Sequence, residues 1–325
     1  MKNNSLHEII KAFRKLDDYI LATHINPDGD GIGAELALGF GLKQLGKKVV
    51  IANSDAFPEN YEFLPTNGLL HKRETIKSNY NVAVSLECPG LDRVGKLKNV
   101  FLRSHKIINL DHHFSNEYFG DYNYVDDKAA AVGEQVYYIL KGLGVKINLE
   151  IATCIYTSLL TDTGSFAYSN TNKRTHEIVV ELLDCGVNPS EVYQNVYEVS
   201  SLGKIQLLGK ALSSLQADKK RGVAWVTLLK DSFKKTGASY GDSEGIINYA
   251  RSIKGVNVAI SFTELENGRV KVSFRSKRDD IDVNKLALTF KGGGHKRASG
   301  AVLEGSMKQV KEKVLKKVFE TVKNI

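Results

Sequence analysis

The first half of the chain alternates short apolar runs with segments whose apolar residues recur at helical spacing. Apolar runs occupy residues 19–23, 48–52, 82–86 and 107–110, and residues 32–45 have the pattern of a helix. This alternation predicts strand–helix–strand crossovers and a parallel sheet with helices on both faces. Sheets of this kind bind ligands at the carboxyl ends of their strands. The residues that follow each apolar run are therefore the first candidates for a functional site.

The rest of the chain has different secondary-structure patterns. Residues 130–215 have mostly helical patterns, whereas strand-like runs dominate from residue 223 onward. Two of these runs, 256–265 and 269–276, flank Asn267-Gly268, and an Asn-Gly pair in that setting is a strong hairpin signal. A chain of 325 residues is also expected to form two domains. We predict an α/β domain with a parallel sheet at residues 1–190, a linker at 191–205 and a smaller α+β domain with an antiparallel hairpin at 206–325.

Composition narrows the class of protein. The chain is 42% hydrophobic and 25% charged, as in ordinary globular proteins. No apolar run has the length of a signal peptide or a membrane span, so we expect a cytoplasmic protein without a membrane partner. Three cysteines without a C-x-x-C pair argue against a disulfide framework or a thiolate zinc site. The net charge of +8 suits an anionic partner, but the basic residues at 308–317 accompany valines at helical spacing and favour a solvated helix face.

The first polar cluster follows residues 19–23 and contains His24, Asp28 and Asp30 among three glycines. A strand-to-helix turn with one imidazole and two carboxylates can aim all three side chains at one point, and glycines permit tight turns. Asp and Gly are also ordinary turn residues. This segment alone is therefore a weak indication of a metal site.

Two further clusters strengthen that indication. Asp111-His112-His113 directly follows the apolar run at 107–110. Adjacent histidines after a buried acid are costly at a strand end unless something uses them. Asp162 lies at the end of the apolar helical run 155–160 and adds another carboxylate. Together the three clusters predict a metal centre.

In order and spacing these motifs resemble those of DHH-type phosphoesterases with a DHH-associated C-terminal domain, from His24 to Gly300. That group includes nanoRNases, pAp phosphatases and cyclic-di-AMP or pApA phosphodiesterases. The resemblance implies two divalent metal ions, with manganese expected and magnesium or cobalt as alternatives. It implies that one ion is held by His24, Asp28 and Glu87, and the other by Asp30, Glu87, His112 and Asp162.

The sequence departs from the family pattern at one ligand. The family's second motif places an Asp at a strand end before a Cys-Pro-like turn, and Glu87-Cys88-Pro89 occupies that place here. The extra methylene of Glu87 must be absorbed by the backbone or by the metal separation. The alternative is that Asp92 takes over as the ligand.

The resemblance also implies a mechanism. Two metal ions would polarise the phosphoryl oxygens and activate a bridging water, so that no protein nucleophile is needed. His113 resembles the residue near the scissile phosphate that stabilises charge or protonates the leaving oxygen. Asp111 is expected to orient a histidine.

A glycine-rich segment near the C-terminus, residues 292–295, matches the GGGH motif of the DHH-associated domain. Such a segment alone is more often a plain turn. Here we expect a loop whose backbone N–H groups approach a phosphate. The expected substrate contacts are Gly293, Gly294, His295, Arg297 and, at the end of the hairpin strand, Arg275.

A metal centre that hydrolyses a phosphate ester, combined with a second site that binds a terminal phosphate, favours short substrates over long nucleic acid. We expect pApA, other linear dinucleotides or nanoRNA to be hydrolysed to mononucleotides, with cyclic-di-AMP and pAp as further candidates. One alternative is an inorganic pyrophosphatase of the family II type, which shares the metal motifs but has a different C-terminal signature. The other is a nucleotide-binding protein without catalysis. A homodimer is left open.

Overall fold

A computed structural model describes residues 2–278 and 280–323, apart from the side chains of His295 and Lys323. The chain divides into two compact units, and the division falls between Val199 and Ser200. Each unit has its own sheet and its own hydrophobic core, as expected for domains that could fold separately.

The first unit contains a five-stranded sheet in which every neighbouring pair is parallel. Its strands, in the spatial order β2-β1-β3-β4-β5, are β1 (Tyr19–Ala22), β2 (Val49–Ile51), β3 (Val82–Leu86), β4 (Lys106–Asp111) and β5 (Tyr122–Val125). The predicted parallel sheet is confirmed, and β5 is an edge strand that the sequence did not reveal. Because β1, β3 and β4 are neighbours, their carboxyl ends meet at one edge of the sheet.

Both faces of this sheet are covered, which explains why the central strand β1 is apolar at every position. In β1, Tyr19 and Leu21 lie in one hydrophobic core, whereas Ile20 and Ala22 lie in the core on the opposite face. All four side chains are fully buried. Helical residues belong to each of the two cores, Leu36 to one and Phe101 to the other, so helices lie on both sides of the sheet, as predicted.

The helices of the first unit are α1 (Leu6–Lys15), α2 (Gly29–Gln44), α3 (Lys98–Arg103), α4 (Val132–Leu143), α5 (Leu149–Asp162), α6 (Lys173–Asp184) and α7 (Pro189–Tyr197). Short 3-10 helices occupy Glu59–Tyr61, Arg73–Thr75 and Leu91–Leu97. Helix α2 packs against α5 and α4. A Cβ added at Gly33 of α2 would lie 2.4 Å from the carbonyl oxygen of Cys154 in α5, so the two helices are in close contact. This packing fixes the start of α2, where the first polar cluster lies.

The second unit contains a six-stranded sheet in the order β10-β11-β9-β8-β7-β6. The strands are β6 (Gln216–Asp218), β7 (Val223–Leu228), β8 (Val258–Glu264), β9 (Arg269–Ser276), β10 (Gly293–His295) and β11 (Ala298–Glu304). Strands β7 and β8 are parallel and the other neighbours are antiparallel. The hairpin predicted at Asn267-Gly268 is confirmed, because it joins β8 to β9 with both residues at positive φ.

The helices of this unit are α8 (Leu202–Ser213), α9 (Lys230–Thr236), α10 (Ile246–Ser252), α11 (Val283–Leu288) and α12 (Met307–Lys323), with a 3-10 turn at Gly241–Ser243. Helix α12 buries Val310, Val314 and Val318, and Lys313 and Lys317 lie on its solvent-facing side, whereas Lys311 is partly buried and donates to Thr227. The three cysteines carry free thiols, and Cys185 is only partly buried. Among the helices of the described residues, none is long and apolar enough to cross a bilayer.

Candidate metal centre

The turn between β1 and α2 brings the first predicted ligands together. Asp28 is the N-cap of α2, and its carboxylate accepts hydrogen bonds from the backbone N–H groups of Asp30 (3.1 Å) and Gly31 (3.2 Å), a role that Asp fills well. His24 Nε2 lies 3.8 Å from Asp28 Oδ2. A Cβ at Gly31 would lie 2.0 Å from Thr23 Oγ1. The close approach of the helix to the strand end therefore requires glycine at this position.

Glu87 follows β3 and has a φ of 60°, a conformation that costs a non-glycine residue about 1–3 kcal/mol. Its backbone N–H donates to the carbonyl of Leu110 (3.0 Å), so the pairing of β3 with β4 helps to hold it. The side chain is 4% exposed, and Oε2 lies 3.6 Å from His24 Nε2 without a hydrogen-bond partner among the described residues. A buried carboxylate oxygen without a partner is unfavourable, and a bound cation would satisfy it.

His112, directly after β4, points one ring nitrogen into the same cluster. Its Nδ1 lies 3.1 Å from the carbonyl oxygen of Ala129, and its Nε2 lies 3.7 Å from Oδ2 of both Asp30 and Asp162. A carbonyl can only accept a hydrogen bond, so Nδ1 carries the proton in the neutral ring. The lone pair on Nε2 is then available to a metal ion.

Asp111 and His113 form a pair beside the cluster. His113 Nδ1 lies 2.8 Å from Asp111 Oδ1. Asp111 is fully buried, and its backbone carbonyl accepts a hydrogen bond from Gln135 Nε2 (2.7 Å). Nδ1 of His113 therefore donates to the carboxylate, which leaves Nε2 of this partly exposed ring free to exchange a proton with another molecule.

Asp30 is held by contacts that sequence reasoning missed. Its carboxylate accepts hydrogen bonds from the backbone N–H groups of Val132 (2.8 Å) and Gly133 (3.1 Å) at the start of α4, and from Ser158 Oγ (2.5 Å) of α5. A Cβ at Gly133 would lie 2.0 Å from Ser158 Oγ. The run of small residues at 129–133 was the available signal for this close approach.

The carboxylates of the cluster repel one another. Burial and then the negative charge of Asp30 raise the pKa of Asp162 to about 7. Burial, followed by the charges of Asp30 and Asp28, raises the pKa of Glu87 well above its usual value. Asp28 behaves differently: burial raises its pKa, but the hydrogen bond from His24 and other donors outweigh it and bring the value to about 2. Divalent cations would supply the positive charge that this group of acids lacks.

Among the described residues the possible ligand atoms form three overlapping groups, and within each group all the atoms lie within 4.8 Å of one another. The first group is His24, Asp28 and Glu87, and the second is Asp30, Glu87, His112 and Asp162. These are the two sets that the family resemblance implied. Glu87 belongs to both, so a single carboxylate is common to the two groups. A further grouping joins Glu87 and His112 to His113.

Asp92 and Arg93 follow the Glu87 turn in the sequence and differ in their contacts. Asp92 is 84% exposed at its side chain, forms an ion pair with Lys98 and belongs to none of the groups found among the described residues. Arg93, which the sequence did not single out, places Nη2 3.4 Å from His24 Nδ1. The geometry favours Glu87 over Asp92 as the ligand.

The expected substrate contacts lie in the second unit. Arg275 of β9 pairs with Ala298 of β11, and its partly buried side chain lines a cavity of about 170 Å³ with polar walls, which include Lys271, Ser261 and Thr263. Burial is the main cause that lowers the pKa of the Arg275 guanidinium. Arg297 lies in the turn between β10 and β11, where its carbonyl accepts a hydrogen bond from the backbone N–H of Ser276.

The glycine-rich segment departs from expectation. Gly293 and Gly294 lie in β10, an edge strand paired with β11, and not in an open loop. Gly294 has a φ of 140°, and a Cβ there would lie 2.6 Å from the carbonyl oxygen of Ala298. The glycines therefore allow close strand pairing, and the free edge of β10 is where backbone groups could meet a ligand. The side chain of His295 lies outside the part of the chain that is described.

Each of the two units matches the model of a known domain family. The family model described as the DHH family, N-terminal domain, matches residues 19–159, and the model of the DHHA1 domain matches residues 218–324. The bifunctional oligoribonuclease and PAP phosphatase NrnA of Thermus thermophilus is 31% identical, over 96% of this chain and 92% of that protein. The protein of the same name from Bacillus subtilis is 28% identical, over 90% and 92%.

Solved structures give the same result for the fold. An exopolyphosphatase-related protein from Bacteroides fragilis superposes with a TM-score of 0.87 at 29% identity, covering 97% of this chain and 95% of that one. A pGpG-specific phosphodiesterase from Vibrio superposes with a TM-score of 0.53 at 14% identity, which is a likeness of fold alone.

Proposed function

Because this chain belongs to the DHH family and carries a DHH domain followed by a DHHA1 domain, we propose that it is a metal-dependent phosphoesterase of short nucleotides. The observation that carries the proposal is the pair of ligand groups that share Glu87. The unpartnered Oε2 of that residue and the acids around it suit two divalent cations, with manganese as the expected ion. Bound there, such ions would supply Lewis-acid activation of a phosphoryl group and of the attacking water.

The residues of the chain have separate roles in this proposal. Asp30 is anchored by three donors and can present its carboxylate in one orientation only. His113 receives its orientation from Asp111 and can give a proton through Nε2 to the leaving oxygen. Arg93, beside His24, adds positive charge next to the site, where it would attract a phosphate.

The relatives that span nearly the whole chain are named for oligoribonuclease and PAP phosphatase activities. This supports linear dinucleotides such as pApA, nanoRNA and pAp as substrates, with cyclic-di-AMP as a further candidate. A pyrophosphatase or a non-catalytic nucleotide-binding protein is less well supported, because the ligand groups are complete and the relatives carry names of another activity.

The test is a product assay with Mn²⁺, Mg²⁺ or chelator over pApA, pAp, cyclic-di-AMP, pyrophosphate and a long single strand. We expect AMP from pApA and phosphate from pAp, both lost with chelator and both reduced at least about 100-fold in Asp30→Asn, since metal sites are sensitive even to changes around the ligands. Asp92→Asn is the matched control and should keep full activity. Faster release of phosphate from pyrophosphate than of AMP from pApA would contradict the proposal, as would equal rates on the long strand and the dinucleotide.

Arg275 and the β10–β11 hairpin form the proposed clamp for a terminal phosphate. The guanidinium lines a polar cavity with Lys271, and the pair would provide charge and directed donors for phosphate oxygens. Arg275→Ala should raise KM for pApA by about 10-fold, the loss expected from one charge-assisted hydrogen bond. Arg269→Ala, in the same strand but outside the cavity lining, is the control. Equal KM values for the two variants would argue against the clamp.

A further inference from the structure

Asn116 lies between the ligand-bearing loops and uses all of its hydrogen-bonding capacity. The residue is 8% exposed. Its Nδ2 group donates to Asp111 Oδ2 (2.5 Å) and to the backbone carbonyl of Cys88 (3.2 Å). Its Oδ1 accepts from Asn109 Nδ2 (2.9 Å) and from the backbone N–H of Tyr118 (2.7 Å). A carboxylate and a carbonyl accept while an amide and an N–H donate, so the orientation of the Asn116 side chain is determined by its partners.

The partners of Asn116 belong to two different loops. Cys88 directly follows Glu87, the carboxylate shared by the two ligand groups. The neighbouring residue strengthens the same connection, because the backbone N–H of Glu117 donates to the carbonyl of Pro89 (2.7 Å). Segment 116–117 therefore binds the turn that carries Glu87. This matters because Glu87 has a positive φ, and such a conformation persists only where surrounding contacts hold it.

The second loop is the one that carries Asp111 and His113. His113 binds Oδ1 of the Asp111 carboxylate, and Asn116 binds Oδ2. With a donor on each oxygen, the buried carboxylate cannot rotate, and the ring of His113 keeps one direction. Loss of the amide would leave Asp111 Oδ2 and the Cys88 carbonyl without this donor in a buried setting, which is unfavourable.

We propose that Asn116 is a positioning residue that holds the Glu87 turn and the Asp111–His113 pair in register with each other. Its side chain acts through Asp111 and Cys88, and its backbone N–H donates to the carbonyl of His113 (3.1 Å). The proposal rests on the function proposed above, since it assigns Asn116 to the same centre.

The experiment compares three variants of the full chain. Asn116→Ala removes the amide, and Asn116→Asp keeps the shape but replaces the NH₂ donor by a second acceptor. The control, Asn109→Ala, removes the buried hydrogen bonds that Asn109 Nδ2 donates to Asn116 Oδ1 and to Asn123 Oδ1, and it leaves Asp111 and Cys88 in contact with their donor. For each protein, Mn²⁺ affinity is measured by isothermal titration calorimetry, kcat and KM with pApA, and Tm in the presence of chelator.

We expect both Asn116 variants to lose about 10–100-fold in Mn²⁺ affinity and in kcat, with KM little changed, as found for residues that orient metal ligands. Asn109→Ala should change Mn²⁺ affinity and kcat by less than about 3-fold, even if its Tm is lowered as much as that of the Asn116 variants. This difference separates a positioning role from a general loss of stability. The proposal is overturned if Asn116→Asp behaves as wild type, or if Asn109→Ala and Asn116→Ala lose metal affinity equally. Wild-type protein that neither binds Mn²⁺ nor hydrolyses pApA would instead refute the proposed function, so the two failures are distinguishable.

Discussion

Asp162 offers a sharp test of the metal centre, because its carboxyl should destabilise the metal-free protein and stabilise the metal-bound one. Burial and Asp30 raise its pKa from 3.8 to about 7 in the folded state. The folded protein therefore binds a proton more tightly than the unfolded chain does. Stability contributed by this proton is lost as the pH rises from the unfolded pKa through the folded one. Because Asn does not titrate, Asp162→Asn should abolish this pH-dependent loss of stability in the metal-free protein.

The magnitude follows from the shift. A change from 3.8 to about 7 corresponds to about 4 kcal/mol in full. The side chain is 30% exposed, and solvent screening reduces the effect to about 2 kcal/mol. Because part of the loss has already developed at pH 5, the advantage of Asp162→Asn in the free energy of unfolding should grow by about 1 kcal/mol between pH 5 and pH 8. Mn²⁺ should reverse the order, since the wild type binds the ion with one more charged ligand.

The assay is urea unfolding followed by far-ultraviolet circular dichroism at pH 5 and pH 8, with chelator and with Mn²⁺. Asp92→Asn is the matched control: it removes an exposed carboxylate paired with Lys98, and its effect should stay within about 0.5 kcal/mol in every condition. A pH-independent effect of Asp162→Asn in chelator would refute the electrostatic reasoning. Equal stabilisation of Asp162→Asn and wild type by Mn²⁺ would refute its role as a ligand.

Three further changes test other parts of the structure. Glu87→Asp shortens the carboxylate shared by both ligand groups, and we expect calorimetry to record at least about a 10-fold loss of Mn²⁺ affinity; unchanged affinity would mean that the extra methylene is not used. Gly31→Ala places a Cβ 2.0 Å from the hydroxyl oxygen of Thr23 and should lower the free energy of unfolding in urea by about 1–3 kcal/mol. Gly209 lies within α8, and a Cβ there would meet no atom within 4 Å. Gly209→Ala should therefore raise the free energy of unfolding by up to about 1 kcal/mol. Arg174→Ala leaves the buried carboxyl of Glu134 without its ion-pair partner, so the free energy of unfolding should fall by about 2 kcal/mol at pH 8 and by less at pH 5, where Glu134 takes up a proton more readily; a larger loss at pH 5 would contradict this.

The sequence alone indicated four of the five strands of the first sheet, β1 to β4, and their order along the chain. A run such as 19–22 is apolar at every position because both of its faces are buried, and this pattern is local enough to be read directly. The same holds for the hairpin at Asn267-Gly268, whose turn chemistry is contained in two residues. Parallel strands also bring their carboxyl ends to one edge, so the clusters at His24 and His112 could be expected to meet.

What lies between those clusters depends on contacts between parts of the chain that are distant in sequence. The left-handed backbone of Glu87 and its place in both ligand groups depend on strand pairing and on neighbours distant in the chain. The contacts of Asn116 with Cys88, 28 residues away, and of Ser158 with Asp30, 128 residues away, have no local pattern. Residues 293–295 likewise form a strand because β11 is available to pair with them. Periodicity records which face of an element is buried, whereas convergence of side chains is set by packing between elements, and that information is spread over the whole chain.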